Sequence, residues 1–295
     1  MRGVSVSQKG VLADETKKSV LLLPAVVMLA VFFILPIFLT VYYSFTNLAL
    51  TGENARNLDF IGLENYGKML EDPSVKISIF NTLIFLLGSL IGQQVLGFIL
   101  AVLMKNKNKT FRSFVGPCIL AGWVMPEIVV ALCCCSFFGD SGTLNVILKL
   151  LHFKPVEWLY RFPMLTIVLS NIWHGTAFSM MNFQSALDGV PSDIEDAAKV
   201  DGAGRLQNLI RIILPNIKNT IATNTMLNTL STLGVFGLIY TMTGGGPGTK
   251  TLTLPIFMYK QAFVSYQLGY GTAISMILLV IGIIFSVVYT RLTKE

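Results

Sequence analysis

The sequence predicts an all-α integral membrane protein, and three observations carry that reading. Hydrophobic residues make up 53% of the 295 and charged ones 13%, where a soluble domain carries about a quarter charged. Six apolar runs are each long enough to cross a hydrocarbon core about 30 Å thick, which takes about 20 helical residues. The runs are continuous rather than alternating in ten-residue strands, so helices are predicted and a barrel is not.

The spans are expected at 20–45, 79–104, 114–138, 164–187, 221–242 and 271–289. The first follows Lys17 and Lys18, yet it is too long for the roughly 7 to 15 apolar residues of a signal peptide. Pro24 and Pro36 within it predict kinks. With the N-terminus in the cytoplasm, most of the 22 basic residues fall inside, among them Lys105, Lys107, Lys109, Arg112, Lys199, Arg205, Arg211 and Lys218. Both termini are then cytoplasmic in a multi-pass protein of the cell membrane. The organisation expected is a cytoplasmic segment 1–19, one membrane domain 20–291 and a tail 292–295.

Several function classes drop out. The net charge of +6 reflects basic loops acting as topology signals, so no nucleic-acid partner is expected. Cys118 and the run Cys133, Cys134 and Cys135 lack metal-ligand spacing, and His152 and His174 are far apart, so no metal site is expected. TGGGPGTKT resembles a phosphate loop, but Thr249 separates Gly248 from Lys250 and breaks the required Gly-Lys pair. Gly244, Gly245, Gly246 and Pro247 in that stretch fit either a turn ending a span or an external docking loop.

Residues 195–217, EDAAKVDGAGRLQNLIRIILPNI, form a polar insert between two spans. Ser192 and Glu195 have the spacing of a capping box, Gly202 and Gly204 weaken the helix, and Leu206, Leu209, Ile210 and Ile213 recur at helical spacing up to Pro215. Helix, bend, helix is the result. The small side chains of Ala197 and Ala198 suit insertion into a partner's groove, and an amphipathic helix lying at the lipid surface fits the same pattern.

Polar groups inside a membrane tend to face a cavity. Glu127 is the one charged residue in any predicted span, and it could meet cargo or be neutralised by packing. The fourth span adds Asn171, Trp173, His174, Phe178, Asn182 and Gln184; the fifth adds Asn224, Asn228, Phe236 and Tyr240. Amides interleaved with aromatic rings suit a polyhydroxylated ligand, although amides also join helices to one another. The absence of Lys and Arg from the spans argues for a neutral sugar over an anionic cargo.

On these residues the chain resembles the permease subunits of binding-protein-dependent ABC importers. Asp196, Ala197, Ala198, Gly202, Ile212, Leu214 and Pro215 match their EAA loop, with Asp in place of the usual first Glu. NIWHGTAFSMMNF, VDGA, LIYTMTGGGP, MYKQAF and GYGTAIS resemble the carbohydrate-uptake branch, of maltose and multiple-sugar type, from about the third span to the last. The resemblance implies a six-helix, MetI-like type I permease fold with a coupling loop at 191–218. It further implies two cytoplasmic ATPase subunits that hold ATP and Mg, a second permease completing a heterodimer, and an extracytoplasmic solute-binding protein. This chain itself would bind no cofactor and catalyse nothing. Asp196, Ala197, Ala198, Gly202, Ile212, Leu214 and Pro215 would couple to the ATPase, and Gly244 to Pro247 would dock the binding protein. Where many relatives carry a basic residue, an aromatic residue and an acid in the fifth span, this chain has Asn228, Leu233 and Gly237, so their cargo contacts do not transfer wholesale. The other readings are an importer of glycerol phosphate, amino acids or peptides, a membrane-embedded enzyme, and a transporter or channel needing no ATPase.

Overall fold

The structure is a computed structural model that describes residues 22–105 and 107–292. The predicted segment 1–19, the start of the first span and the last three residues of the tail lie outside the described residues.

Helix α1, Leu22–Ser44, widens into a π turn at Ala30–Ile34 just ahead of Pro36, whose missing amide cannot continue the regular ladder. A short helix α2, Glu64–Glu71, leads to α3, Pro73–Lys105, which at 33 residues is about 50 Å long. The predicted third span is broken into α4, Lys109–Val124, and α5, Glu127–Phe138. Met125 and Pro126 between them are extended, as the residue before a proline prefers. Two shorter helices, α6 (Thr143–Leu150) and α7 (Trp158–Arg161), precede α8, Pro163–Asp188.

Helix α9, Ser192–Val200, starts where the sequence predicts. The next, α10, runs through 205–216 with a π turn at Leu209–Ile213. The predicted fifth span is also broken, into α11, Lys218–Leu233, and α12, Gly237–Met242. Gly234 and Gly237 flank that break, and glycine inside a helix costs about 1 kcal/mol against alanine. Helix α13, Leu254–Tyr259, continues as a π turn at Lys260–Val264, and α14, Leu268–Leu292, closes the chain.

Among the described residues, four segments are long and apolar enough to cross a membrane: Leu22–Ser44, Pro73–Lys105, Glu127–Leu150 and Leu268–Arg291. Helix α8 has the length but carries Asn171, His174, Asn182 and Gln184, so its composition falls short. That polarity has a place to go. A Cβ at Gly97 would stand 2.5 Å from Ser179 Cβ, one at Gly92 2.3 Å from Ile172 Cδ1, and one at Gly175 2.3 Å from Gln93 Nε2. Glycines thus bring α3 and α8 together, as small residues do between membrane helices.

Two apolar cores result. One gathers Phe85, Val130, Ile167, Leu238, Ile256 and Ile274, and the other gathers Ala101, Met104, Met180, Phe183, Leu187, Ile213 and Ile217. The second ties α10 to the far ends of α3 and α8. At the other end of α3, about 36 Å along the helix from Lys105, Asn81 Nδ2 donates to Thr249 O at 2.8 Å and to Leu252 O at 3.2 Å.

Candidate functional site

Both helix breaks open onto one cavity of about 230 Å³. Glu127 opens α5 and lines it, and Asn171, His174, Gly175 and Phe178 enter from α8. Asn228, Ser231 and Thr232 come from α11, with Gln93 from α3 and Trp123 from α4. Trp123 and Phe178 stack at 5.6 Å between centroids, 29° from parallel. Gln93 Nε2 donates to the Asn171 carbonyl at 2.9 Å, and Asn171 Nδ2 is buried with no partner among the described residues. His174 lies 3.3 Å from the Met125 carbonyl; a carbonyl only accepts, so this contact takes Nε2–H as its donor. The Glu127 carboxylate lies against Gly237, where a Cβ would stand 3.0 Å from Oε2. An apolar ring face, several amides and one carboxylate surround the space, a set suited to a ligand rich in hydroxyls.

A chain of amides adjoins the cavity. Asn224 Nδ2 donates to Gln94 Oε1 at 3.0 Å, while its Oδ1 accepts from Asn182 at 2.9 Å and from Asn228 at 3.3 Å. Asn228 also donates to Ser179 Oγ at 2.8 Å. These bonds join α3, α8 and α11.

The end carrying 192–216 is clasped by two ion pairs, Lys105 with Glu195 and Arg112 with Asp188. The Glu195 carboxylate, expected at the capping box, meets Lys105 of α3 through Oε1. Gly202 has φ +79°, and Ala203 N donates to Ala198 O at 2.9 Å, closing α9 in a Schellman turn. Asp196, Ala197, Gly202 and Pro215 are exposed, Ala198 and Ile213 are buried, and Ile212 and Leu214 are partly buried. Leu206 and Ile210 leave an apolar face in the open while Ile213 and Ile217 point into the core.

The profile of the family described as binding-protein-dependent transport system inner membrane component matches residues 93–295. That range takes in residues 192–216, the glycine loop and all of the cavity. The chain belongs to this family. Its MetI-like permease fold is the all-helical arrangement described above. Among relatives, the sulfoquinovosyl glycerol transport system permease protein SmoG of Agrobacterium fabrum is 30% identical over 286 residues, covering 96% of this chain and 92% of that protein. The multiple sugar-binding transport system permease protein MsmF of Streptococcus mutans is 33% identical over 282 residues, covering 93% and 94%. These names bear out the resemblance to the carbohydrate-uptake branch. A solved bacterial ABC transporter involved in the import of the acidic polysaccharide alginate superposes with a TM-score of 0.82 at 21% identity, covering 97% of each chain. The protein is a membrane permease subunit of an ABC importer, and the ATPase of such systems is a separate subunit.

In this permease, Glu127, Asn171, Phe178 and Asn228 meet at the cavity, whereas four other expected pathway residues lie outside its lining. Trp173 faces an apolar pocket with Cys133, Phe137 and Leu169. Asn182 belongs to the amide chain. Phe236 and Tyr240 stack at 5.2 Å and cluster with Tyr259, each about 5 Å away, on the stretch that leads from the break towards the glycine loop. Gln93, Trp123 and Ser231 line the cavity without standing out in the sequence. Gln93 and its neighbour Gln94 sit in a long, mostly apolar helix, and the place of Gln93 opposite Gly175 shows which of the two faces the cavity.

The permease's glycine loop is stitched rather than slack. Gly244, Gly245 and Gly248 have φ of +57°, +91° and +61°, Thr251 Oγ1 donates to Gly246 O at 2.7 Å, and Thr251 Oγ1 meets Thr243 Oγ1 at 2.7 Å. Gly246 and Pro247 border a surface cleft of about 740 Å³ together with Asp140, Glu157 and Tyr160.

Proposed function

We propose that this permease imports a sugar or oligosaccharide handed over by an extracytoplasmic binding protein, driven by ATP hydrolysis in two cytoplasmic ATPase subunits that hold ATP and Mg. The observation that carries this reading is the cavity, where the stacked Trp123–Phe178 pair meets the amides of Gln93, Asn171 and Asn228 at the junction of two broken helices. Ring faces cover the C–H surface of a sugar and amides take its hydroxyls. Discontinuous helices at membrane depth are a feature of transporter sites.

In this reading both termini and the 191–218 loop are cytoplasmic. Asp196, Ala197, Ala198, Gly202, Ile212, Leu214 and Pro215 belong to the coupling element, and the exposed Leu206–Ile210 face seats in the ATPase. ATP-driven closure of the ATPases then moves the spans as rigid bodies and alternates access to the cavity. At the opposite end, Gly244, Gly245, Gly246 and Pro247, beside an open cleft, present a fixed shape to the binding protein. A second permease completes a heterodimer, for which the partly exposed Phe236, Tyr240 and Tyr259 rings supply a surface.

The test is ATPase activity of the complex purified from its native membrane and reconstituted in proteoliposomes. A receptor loaded with oligosaccharide is expected to stimulate hydrolysis, and receptors loaded with an amino acid or with glycerol phosphate are not. Stimulation by either of those instead would overturn the sugar assignment.

A further inference from the structure

We propose that Glu127 is a charge filter inside the cavity: it accepts a sugar unit that presents hydroxyls or an ammonium group and turns away one bearing carboxylate, sulfonate or phosphate. The inference rests on the reading that the cavity holds sugar. The fold recurs in a transporter involved in the import of an acidic polysaccharide, so a preference against acidic cargo would have to come from the side chains of the cavity.

Glu127 has no hydrogen bond or ion pair among the described residues and borders the open space. It sits in the first turn of the 12-residue helix α5, where the helix dipole favours a negative charge. Among the described residues, no lysine or arginine lines the cavity to offset it. The contact of His174 Nε2 with the Met125 carbonyl occupies that nitrogen outside any pairing with Glu127. Away from bulk water, like charges repel strongly, so a bound anion beside this carboxylate is disfavoured. A hydroxyl or an ammonium group would instead donate to it in a charge-assisted hydrogen bond.

A second observation points to a ligand at the same place. Asn171 is 3% exposed, lines the cavity, and its Nδ2 lacks a partner among the described residues. A buried donor left unsatisfied is costly, and a sugar ring or hydroxyl oxygen would satisfy it. The donor and the carboxylate together ask for a ligand that accepts on one side and donates on the other. Neutral and amino sugars do both, whereas an acidic group facing Glu127 supplies only acceptors.

The experiment measures equilibrium dialysis of radiolabelled cellobiose, glucosamine disaccharide and digalacturonate against the membrane complex of permeases and ATPases with the binding protein washed away, since that receptor holds sugar by itself. The wild type is expected to bind the first two and to bind digalacturonate at least about tenfold more weakly, the scale of one charge-assisted bond. Glu127→Gln should weaken the glucosamine disaccharide by about tenfold while leaving cellobiose within about threefold, and Glu127→Lys should admit digalacturonate. Trp123→Ala should abolish binding of all three, which ties the signal to the cavity. Digalacturonate binding to wild type as tightly as cellobiose, or an unchanged order in Glu127→Gln, overturns the filter and leaves the cavity reading standing. If no probe binds wild type, or if Trp123→Ala binds all three normally, the filter and the cavity reading fall together.

Discussion

Asn224 Nδ2 donates to Gln94 Oε1 at 3.0 Å, joining helices α11 and α3 across 130 residues of sequence. The same Asn224 accepts from Asn182 and Asn228 through Oδ1, so one amide ties three helices. In a membrane such bonds contribute about 0.6 kcal/mol each and at most about 1.7. Asn224→Ala is therefore expected to lower stability by about 1 to 2 kcal/mol. Asn182→Ala, which loses one of these bonds, should cost less than half of that. Thermal unfolding of the detergent-solubilised protein ranks the two, and equal losses would show that Asn224 is not the hub.

Gly97 sets how closely α3 approaches α8, because a Cβ there would stand 2.5 Å from Ser179 Cβ and 2.9 Å from the Met180 backbone nitrogen. Backbone cannot step aside as a flexible side chain does. Overpacking of this kind costs about 1 to 3 kcal/mol, so Gly97→Ala should lower the melting temperature by several degrees and Gly97→Val should remove most folded protein from the membrane. Gly282→Ala, with nothing within 4 Å of the added carbon, is the control and should melt with the wild type. Tolerance of Gly97→Val would mean that the helices are not in this contact.

The apolar runs and the helix, bend and helix of 192–216 were legible in the sequence because each is a local pattern: twenty greasy residues, or apolar residues at helical spacing interrupted by glycine. The breaks were not, because a hydropathy run ignores where a helix can continue. Pro126 beside Glu127 was the available signal for the first break, since proline unseats the residue before it. The cavity was half legible. Asn171 and Asn228 are amides inside predicted spans and attract notice as polar groups, whereas Gln93 is carried by a long, mostly apolar helix, Trp123 has no local pattern that marks it, and the glycine at position 175 opposite Gln93 makes room for its amide. Glu195 shows the remaining difficulty: its spacing from Ser192 suggests a local role at a capping box, whereas its contact with a lysine 90 residues earlier leaves no local signal.

That pair, Lys105 with Glu195, links the end of α3 to α9, the first helix of the proposed coupling element, and both side chains are mostly buried. Removing one partner would strand a shielded charge, so Lys105→Glu alone is expected to impair uptake severely, by tenfold or so if the pair contributes about 1.4 kcal/mol. The exchanged double variant Lys105→Glu with Glu195→Lys should recover much of the loss. A coupling energy of about 1 to 3 kcal/mol between the two positions is expected from a thermal-stability cycle. Single and double variants that add independently would mean the contact carries nothing.

Gly202 and Leu206 separate folding from coupling. With φ +79° and no atom of the described residues within 4 Å of an added Cβ, Gly202 can accept a side chain at a local backbone cost of about 1 to 2 kcal/mol without a clash among them. Gly202→Leu should therefore reach the membrane and bind its partners, yet hydrolyse ATP with little uptake, because the added side chain stands where the ATPase is expected to sit. Leu206 is 68% exposed and Ile213 is 6% exposed on the same helix. Leu206→Asp should leave the melting temperature unchanged and lose the ATPase on co-purification, whereas Ile213→Asp should unfold the segment because it buries an unpaired charge. If Leu206→Asp retained the ATPase and Gly202→Leu transported normally, residues 192–216 would not be the seat of the ATPase, and the exposed apolar face would have to be assigned to the lipid surface instead.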